Sequence, residues 1–438
     1  MITTPRAAKK VLVIGSGGRE HALCWRLARS LHVARVFCAP GNGGTGAVAT
    51  NVAIAASDSE ALLAFARKER IDLTVVGPEA PLVAGIVDHF QAAGLAVFGP
   101  TAAAARLEGS KAYAKAFMAR HHIPTAAHAA FTELEPALAY LRANGTPIVV
   151  KASGLAAGKG VIVAQTVAEA EAAVHTIMVE RAFGSAGAEV VIEECLLGEE
   201  CSVLAITDGT HLFTLPAAQD HKAIGEGDTG PNTGGMGAYC PAPILTPALA
   251  ARVEREILRP VVDGMRAEST PLAGVLYAGL MIVHGDPYVL EFNCRFGDPE
   301  CQPLMANLDN DLYPVLEAAI SGTLADHRPI ARAGAALTVV MASEGYPGAY
   351  PKGREITGID QAATAPGTLV FHAGTRADGG RLLTSGGRVL GVTGLGPTLA
   401  SAQQRAYAAC EKIRFAGAYY RRDIGAKALA RISHHDPW

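Results

Sequence analysis

Lys10-Val11-Leu12-Val13-Ile14-Gly15-Ser16-Gly17-Gly18-Arg19-Glu20 runs from an apolar stretch, through small residues, into a segment of helical periodicity. A strand that enters a helix through glycines opens a βαβ unit, and the free N–H groups at such a helix start can bind phosphate. The pattern continues to about residue 100. Val33 to Cys38, Ile71 to Val76 and Leu95 to Phe98 read as strands; Glu20 to Ser30, Asp58 to Arg70 and Leu82 to Ala93 read as helices. Ser57-Asp58-Ser59-Glu60 has the spacing of a capping box. This alternation predicts a parallel sheet, whose ligands gather at the carboxyl ends of the strands. Gly77-Pro78 and Gly99-Pro100 fall at those ends.

The opening loop departs from the dinucleotide fingerprint. Glu20 stands where the third glycine belongs, and the second strand ends in Cys38-Ala39-Pro40, without the acidic residue that holds a ribose. A structural turn and a phosphate site both remain open for it. Pro40-Gly41-Asn42-Gly43-Gly44 and Gly77-Pro78-Glu79 belong to the same sheet edge, which favours a phosphorylated sugar over a dinucleotide.

Length and composition narrow the rest. A chain of 438 residues is long enough for about three domains. Apolar residues make up 50% and charged residues 18%, which excludes a disordered chain. Lys+Arg 38 against Asp+Glu 41 leaves −3, so no overall basic field points to nucleic acid. No apolar run reaches the ~18 residues of a membrane span. The run after the basic start, Val11 to Ile14, is too short for a signal-peptide core. Eight cysteines without a CxxC pair predict reduced thiols in a cytoplasmic protein.

Beyond residue 100 a helix covers Thr101 to His121, and Ile123-Pro124 breaks it. Strands follow at Ile148 to Lys151, Gly160 to Val163 and Val190 to Glu193, with a helix starting at Thr166. A larger unit from about 194 to 328 holds a polar loop, Gln219 to Gly237, and the strand Tyr288 to Asn293. The final segment has β signals at Leu337 to Met341 and Arg388 to Val392, then a helix near Thr398 to Lys412. The tail His434 to Trp438 reads as a frayed end.

Lys151-Ala-Ser-Gly154-Leu-Ala-Ala-Gly158-Lys159-Gly160 is not a phosphate loop of the Walker type, because Gly160 replaces the metal-binding Ser or Thr. Flanking β-like runs make it a glycine-rich hairpin, either ordinary or closing over phosphates with Lys151 and Lys159. In Glu291-Phe-Asn293-Cys-Arg295-Phe-Gly297-Asp298-Pro-Glu300, strand alternation puts Glu291 and Asn293 on one face and Leu290, Phe292 and Cys294 in the core. Two hard oxygen ligands beside a guanidinium suit Mg²⁺ and nucleotide phosphates. Glu193-Glu194-Cys195-Leu196, with Glu200, could line a nucleoside, although read alone these are solvated glutamates. The mixture of Asp220, His221, Lys222, Asn232 and Thr233 favours a polar small-molecule site; no Ser or Cys nucleophile has elbow spacing.

Taken in order, the motifs VLVIGSGGREHAL (11–23), APGNGGT (39–45), VVGPEAPLVAGIVD (75–88), FGPT (98–101), LEGSKAYAKAFM (107–118), KASGLAAGKGVIVA (151–164), QDHKAIGEGDTGPNTGGMGAY (219–239), EFNCRFGDPE (291–300) and FHAGT (371–375) closely resemble the phosphoribosylamine–glycine ligase (glycinamide ribonucleotide synthetase) family of the ATP-grasp superfamily. The resemblance covers nearly the whole chain. It implies an α/β architecture: an amino-terminal, Rossmann-like parallel-sheet domain at 1–104, and an ATP-grasp body at 105–328 with a lid at about 123–193. A small carboxyl-terminal α/β domain at 329–438 completes it. It also implies ATP-dependent ligation of glycine to 5-phosphoribosylamine through glycyl phosphate, in purine biosynthesis, by a cytoplasmic monomer with small-molecule partners.

By motif match, Lys111, Lys151, Gly158, Lys159 and Gly160 are expected on ATP phosphates. Glu193, Glu194 and Leu196 are expected at adenine and Glu200 at ribose. Glu291 and Asn293 match ligands for Mg²⁺, with Mn²⁺ as a substitute. Gly17, Gly18, Arg19, Glu20, Gly41, Asn42 and Glu79 are expected at phosphoribosylamine, and Asn232, Gly235, Gly297 and Asp298 around glycine. Lys151, Arg295 and Asp220 carry the catalytic expectation. Ser153 stands where the family often has Asp, and Ala223 where it often has a basic residue. Another ATP-grasp ligase and a catalytically silent nucleotide sensor are the rival readings; acceptor choice and turnover separate them.

Overall fold

The computed structural model describes residues 8–156 and 160–435. At its amino end lie five parallel strands: β1 (Lys9–Gly15), β2 (Val33–Pro40), β3 (Thr50–Asn51), β4 (Leu73–Val76) and β5 (Val97–Phe98). Their spatial order is β3-β2-β1-β4-β5. Val11 and Val13 of β1 pack with Leu23 and Leu27 of the helix Gly18–Leu27, while Leu12 and Ile14 pack with Leu62 and Phe90 on the other face. Burial on both faces explains why the strand is a continuous apolar run. The strand order reverses between β1 and β4, which opens a crevice at Gly15 and Gly77.

Two expected helices are each divided. Leu82 to Ala93 becomes Glu79–Val83 and Ile86–Ala92, broken at Gly85 with φ 86°. Thr101 to His121 becomes Ala102–Gly109 and Lys111–Arg120, because Ser110 is extended and caps the second helix at Tyr113 N. Asp58, rather than Ser57, caps the helix Ser59–Glu69.

His128–Phe131, Val190–Glu194, Ile148–Ala152 and Val161–Ala164 form, in that order, an antiparallel sheet. The helices Leu134–Asn144 and Val167–Met178 cover its apolar face. The antiparallel pairing of its last two strands is the expected glycine-rich hairpin. A second antiparallel sheet orders Leu212–Thr214, Glu199–Asp208, Ala273–Val283 and Asp286–Asn293. Its last strand bulges: Gly279 faces Glu291, but Leu280 faces Val289, so Leu290 is the extra residue. Val289, Phe292 and Cys294 are therefore buried, and Leu290, expected in the core, lines the cleft instead.

A third antiparallel sheet orders Gln219–Asp220, Gly237–Cys240, Ala335–Ser343, Arg388–Gly396 and Thr368–His372. The two late β signals pair directly here. The ends of the 219–237 loop join the same sheet, although the sequence reading grouped them with 194–328. Inside that loop Ala223–Gly225 and Thr229–Asn232 make a small hairpin. All eight cysteines are free and all but Cys195 are buried. Among the described residues no helix is long and apolar enough to cross a membrane.

Candidate active site

All four of these sheets contribute to a cavity of about 450 Å³. At the parallel-sheet rim, Glu20 turns back into the crevice, accepting from Gly17 N at 2.6 Å and Arg19 Nε at 2.6 Å. Gly77 makes room for this turn, because a Cβ there would stand 2.0 Å from Glu20 Oε1 and force the carboxylate to move. Asn42 also turns inward: Nδ2 donates to Ser16 O at 2.9 Å, and Oδ1 accepts from Gly44 N at 2.9 Å. Gly17 and Gly18 lie against Asp298 and Gln302, and Gly41, with φ 73°, packs on Thr45 and Asn51. These residues shape the rim, whereas Arg19 and Glu79 present side chains to the cavity. Burial pushes the Glu79 carboxyl up, but Arg295 and Arg19 outweigh it and leave it below its ordinary value.

The opposite wall carries lysines. Lys151, buried on its strand, reaches Glu193 at 3.0 Å and Leu290 O at 3.2 Å. Lys115, one turn beyond Lys111, shares the same carboxylate at 3.0 Å. Glu193 thus balances two ammonium groups, while Glu194, Cys195 and Leu196 continue the wall beside it. Burial pushes the Lys111 ammonium down, with Glu291 opposing. Burial likewise takes Lys115 down to about 8 against Glu193. Glu200 pairs with Lys222 at 2.7 Å. Gly160 lines the cavity; Gly158 and Lys159 lie outside the described residues.

Glu291 and Asn293 stand between the two halves. Among the described residues, the Glu291 carboxylate makes no hydrogen bond or ion pair. Burial pushes it up, but Lys222, Lys151, Lys111 and Arg295 outweigh that and hold it ionised. Arg295 donates to Asn293 Oδ1 at 3.2 Å and lies 3.0 Å from Glu108. Burial alone would lower the Arg295 pKa, yet Glu108 and Glu79 raise it. Burial raises Glu108 despite Arg295.

The 219–237 loop brings Asp220, Lys222 and Asn232 to the same cavity. Burial raises Asp220 well above the carboxylate range, against Lys222, with Glu300 and Glu200 adding to the rise. Gly235, at φ 109°, packs on Pro299, and a Cβ on Gly297 would meet Glu300 at 2.4 Å. Asp298 is held by Arg388 at 2.9 Å and Gln302 at 2.8 Å.

Sequence reasoning missed Lys115, Glu108, Tyr277 and Arg388. Lys115 was recoverable as the i+4 neighbour of Lys111 on one helix face. Arg388 had no local signal, because it arrives from the distant third sheet. Neither departure from the family motif leaves a gap. Ser153 Oγ accepts from Ala112 N at 3.2 Å at a helix start, and the Ala223 carbonyl accepts from the Arg421 guanidinium at 3.0 Å.

Family models for phosphoribosylglycinamide synthetase match in three parts: the N domain at 9–108, the ATP-grasp (A) domain at 109–301 and the C domain at 336–427. A phosphoribosylamine–glycine ligase of Pasteurella multocida is 56% identical over 424 residues, covering 96% of this chain and 98% of that protein. The Salmonella typhimurium ligase is 57% identical, covering 96% and 99%. The crystal structure of the Thermotoga maritima ligase superposes with a TM-score of 0.82 at 35% identity, covering 95% and 100%. A biotin carboxylase domain from Hydrogenobacter thermophilus shares the fold alone, with a TM-score of 0.71 at 16% identity, covering 94% and 91%. With three domain models in register and relatives matched end to end, the chain belongs to the phosphoribosylglycinamide synthetase family and has its ATP-grasp fold.

Proposed function

We propose that this chain ligates glycine to 5-phosphoribosylamine, converting ATP to ADP and phosphate and producing glycinamide ribonucleotide for purine biosynthesis. One observation carries the reading: the Lys111–Lys151 wall and the Arg19–Glu79–Arg295 rim open into a single cavity, with Glu291 between them. A nucleotide and a phosphorylated amine therefore meet without leaving the cleft.

The chemistry follows from charge. A carboxylate is a poor electrophile, so a glycine oxygen first takes the γ-phosphoryl group and ADP departs. The sugar amine then attacks the carbonyl of glycyl phosphate, loses a proton and expels inorganic phosphate. No protein nucleophile is needed. Lys111 and Lys151 offset the repulsion between triphosphate and carboxylate, and Arg295 orients the reacting groups. Asp220, which lines the same cavity, is the third catalytic residue of the proposal. Arg19 and Glu79 hold the sugar phosphate on a rim shaped by Gly17, Gly18, Glu20, Gly41 and Asn42; Asn232, Gly235, Gly297 and Asp298 enclose glycine. Glu193, Glu194 and Leu196 lie toward adenine, Glu193 through the lysines it pairs with, and Glu200 toward the ribose.

The family works with ATP and a divalent metal. In this chain the unpartnered, ionised Glu291 carboxylate and the Asn293 amide oxygen fit Mg²⁺, with Mn²⁺ able to replace it. Bound there with the nucleotide, such an ion supplies charge neutralisation at the triphosphate. Units at 1–104, 105–328 and 329–438, a lid at about 123–193, a monomeric state and a cytoplasmic location complete the proposal.

Phosphate release with Mg-ATP, glycine and freshly generated phosphoribosylamine, omitting one component at a time, tests it. Release that requires all three, with product identified by mass, is expected. Release without glycine, or with a different acid, overturns the substrate assignment.

A further inference from the structure

Asp220 and Lys222 line the cavity, while the intervening His221 is buried behind them, as strand alternation requires. That reverse side is occupied by residues about 200 positions later in the chain. Gly425 N donates to His221 Nε2 at 3.4 Å. Arg421, 1% exposed, donates to Ala223 O at 3.0 Å and Asp228 at 2.9 Å. Its other edge is fixed by both oxygens of Asp423, at 2.8 and 2.7 Å.

Three further contacts close the arrangement. Asp423 accepts from Gly227 N at 2.9 Å, Tyr419 OH donates to Ile224 O at 2.9 Å, and Lys427 pairs with Asp228. The hairpin held in this way has little burial of its own: Thr229–Asn232 is exposed throughout. Only Ala223 and part of Ile224 reach the core from its other strand, and a two-stranded hairpin with so little buried surface is marginal in water. Asp220 is held by its own ladder with Ala238. The hydrogen bonds from the carboxyl-terminal segment set the position of the hairpin, and with it that of Lys222 and Asn232, the cavity residues at its two ends.

We propose that residues 419–427 form a clasp that positions Lys222 and Asn232 for the glycyl-transfer half of the reaction, with Arg421 as the central positioning residue. The assignment of a half-reaction rests on the ligase reading; the clasp itself does not. A guanidinium suits the position because it spans two carboxylates and a carbonyl in one plane, which an ammonium cannot do.

Arg421→Ala, Arg421→Lys and the double variant Tyr419→Phe/Asp423→Asn test it, the last at positions outside the hydrophobic core, with thermal melting recorded for each. Two readouts are taken: steady-state constants for glycine and amine beside ADP binding, and the rate of proteolytic cleavage within 223–232. The double variant is expected to raise the amine or glycine KM about tenfold, with ADP binding unchanged. It should also speed loop cleavage about tenfold. Arg421→Lys should fall between Arg421→Ala and the parent. Parental cleavage rates in the double variant overturn the clasp whatever the reaction is. Faster cleavage with unchanged KM and kcat, or with ADP binding lost in proportion, overturns its positioning role. Absence of glycine-dependent phosphate release in the parent overturns the ligase reading, and the cleavage rates still judge the clasp.

Discussion

The backbone N–H of His372 donates to Nδ1 of His21 at 2.8 Å. The acceptor nitrogen cannot carry a proton, so the His21 ring is neutral with its hydrogen on Nε2. The carbonyl of His372 accepts from Asn42 Nδ2 at 2.8 Å. Both backbone polar groups of one residue at the end of the third sheet are thus held by residues flanking the glycine loops of the first. His372 thereby helps fix the shape of the parallel-sheet rim of the cavity.

Acid should loosen this junction. Burial takes His21 down to about 3, with His372 adding to the shift, and burial takes His372 down to about 4. Because both folded values lie below the ordinary 6.5, the unfolded chain binds more protons between about pH 6.5 and 3. Stability contributed by the neutral rings is complete above pH 6.5 and is lost as pH falls through that window. From pH 7 to pH 5 one such ring accounts for about 2 kcal/mol. His21→Gln keeps an acceptor for His372 N and removes the titration. Urea unfolding at the two pH values should show the parent losing about 2 kcal/mol more than this variant. Equal losses would mean that His21 does not control the acid limb.

Asn42→Ala strips partners from Ser16 O, His372 O, Gly44 N and Thr45 N together. Buried groups left unsatisfied cost about 1–3 kcal/mol, so the melting temperature should fall measurably. Because the damage is confined to the rim, KM for phosphoribosylamine should rise while ATP binding holds. If titration showed weakened ATP binding and an unchanged amine KM, the division of the cavity into two halves would be wrong.

How much of this was legible depended on the range of the signal. The strand–glycine–helix opening, the 151–164 hairpin and the Glu291–Asn293 pair are local, and local periodicity found them. The bulge at Leu290 was invisible, because it is defined by the register against Leu280 and Gly279 on the neighbouring strand. Arg388 and Arg421 were missed for a related reason: each acts on a loop more than a hundred residues away, and nothing beside it in sequence marks the contact. Asn42 is of a type that could face a ligand, and its amide instead bonds Ser16 O, His372 O and the amides of its own loop. Residue type gives the chemistry available to a side chain; only tertiary packing decides which way the side chain faces.

Ser153 tests a departure from the family motif. Its Oγ accepts from Ala112 N, in the first turn of the helix that presents Lys111. Ser153→Ala should destabilise by about 1 kcal/mol, as loss of a helix-terminal acceptor does. Ser153→Asp keeps an acceptor and adds negative charge at a helix N-terminus, so it should match or exceed the parent in thermal melting. A destabilised Asp variant beside an unaffected Ala variant would show that the hydroxyl is not acting as a helix-terminal acceptor.

Glu291 is the most exposed of these assignments to disproof. Its carboxylate is held ionised by Lys222, Lys151, Lys111 and Arg295, and among the described residues it has no bonded partner. Its charge offsets the surrounding cations but is tied to none of them by a bond, which leaves its oxygens available to a divalent ion. Glu291→Ala should reduce turnover at least about 100-fold at saturating Mg²⁺, the scale of losing a transition-state electrostatic group. Melting should shift by only a few degrees, since one surface of a water-accessible cavity is altered. Glu291→Gln separates charge from shape: it preserves size and an oxygen but not the negative charge, so it should be nearly as inactive as the alanine variant. Mn²⁺-dependent ADP binding, measured by calorimetry, should weaken in both. Parental turnover by either variant at saturating Mg²⁺ would remove Glu291 from the metal site and leave Asn293 without a ligating partner on its strand.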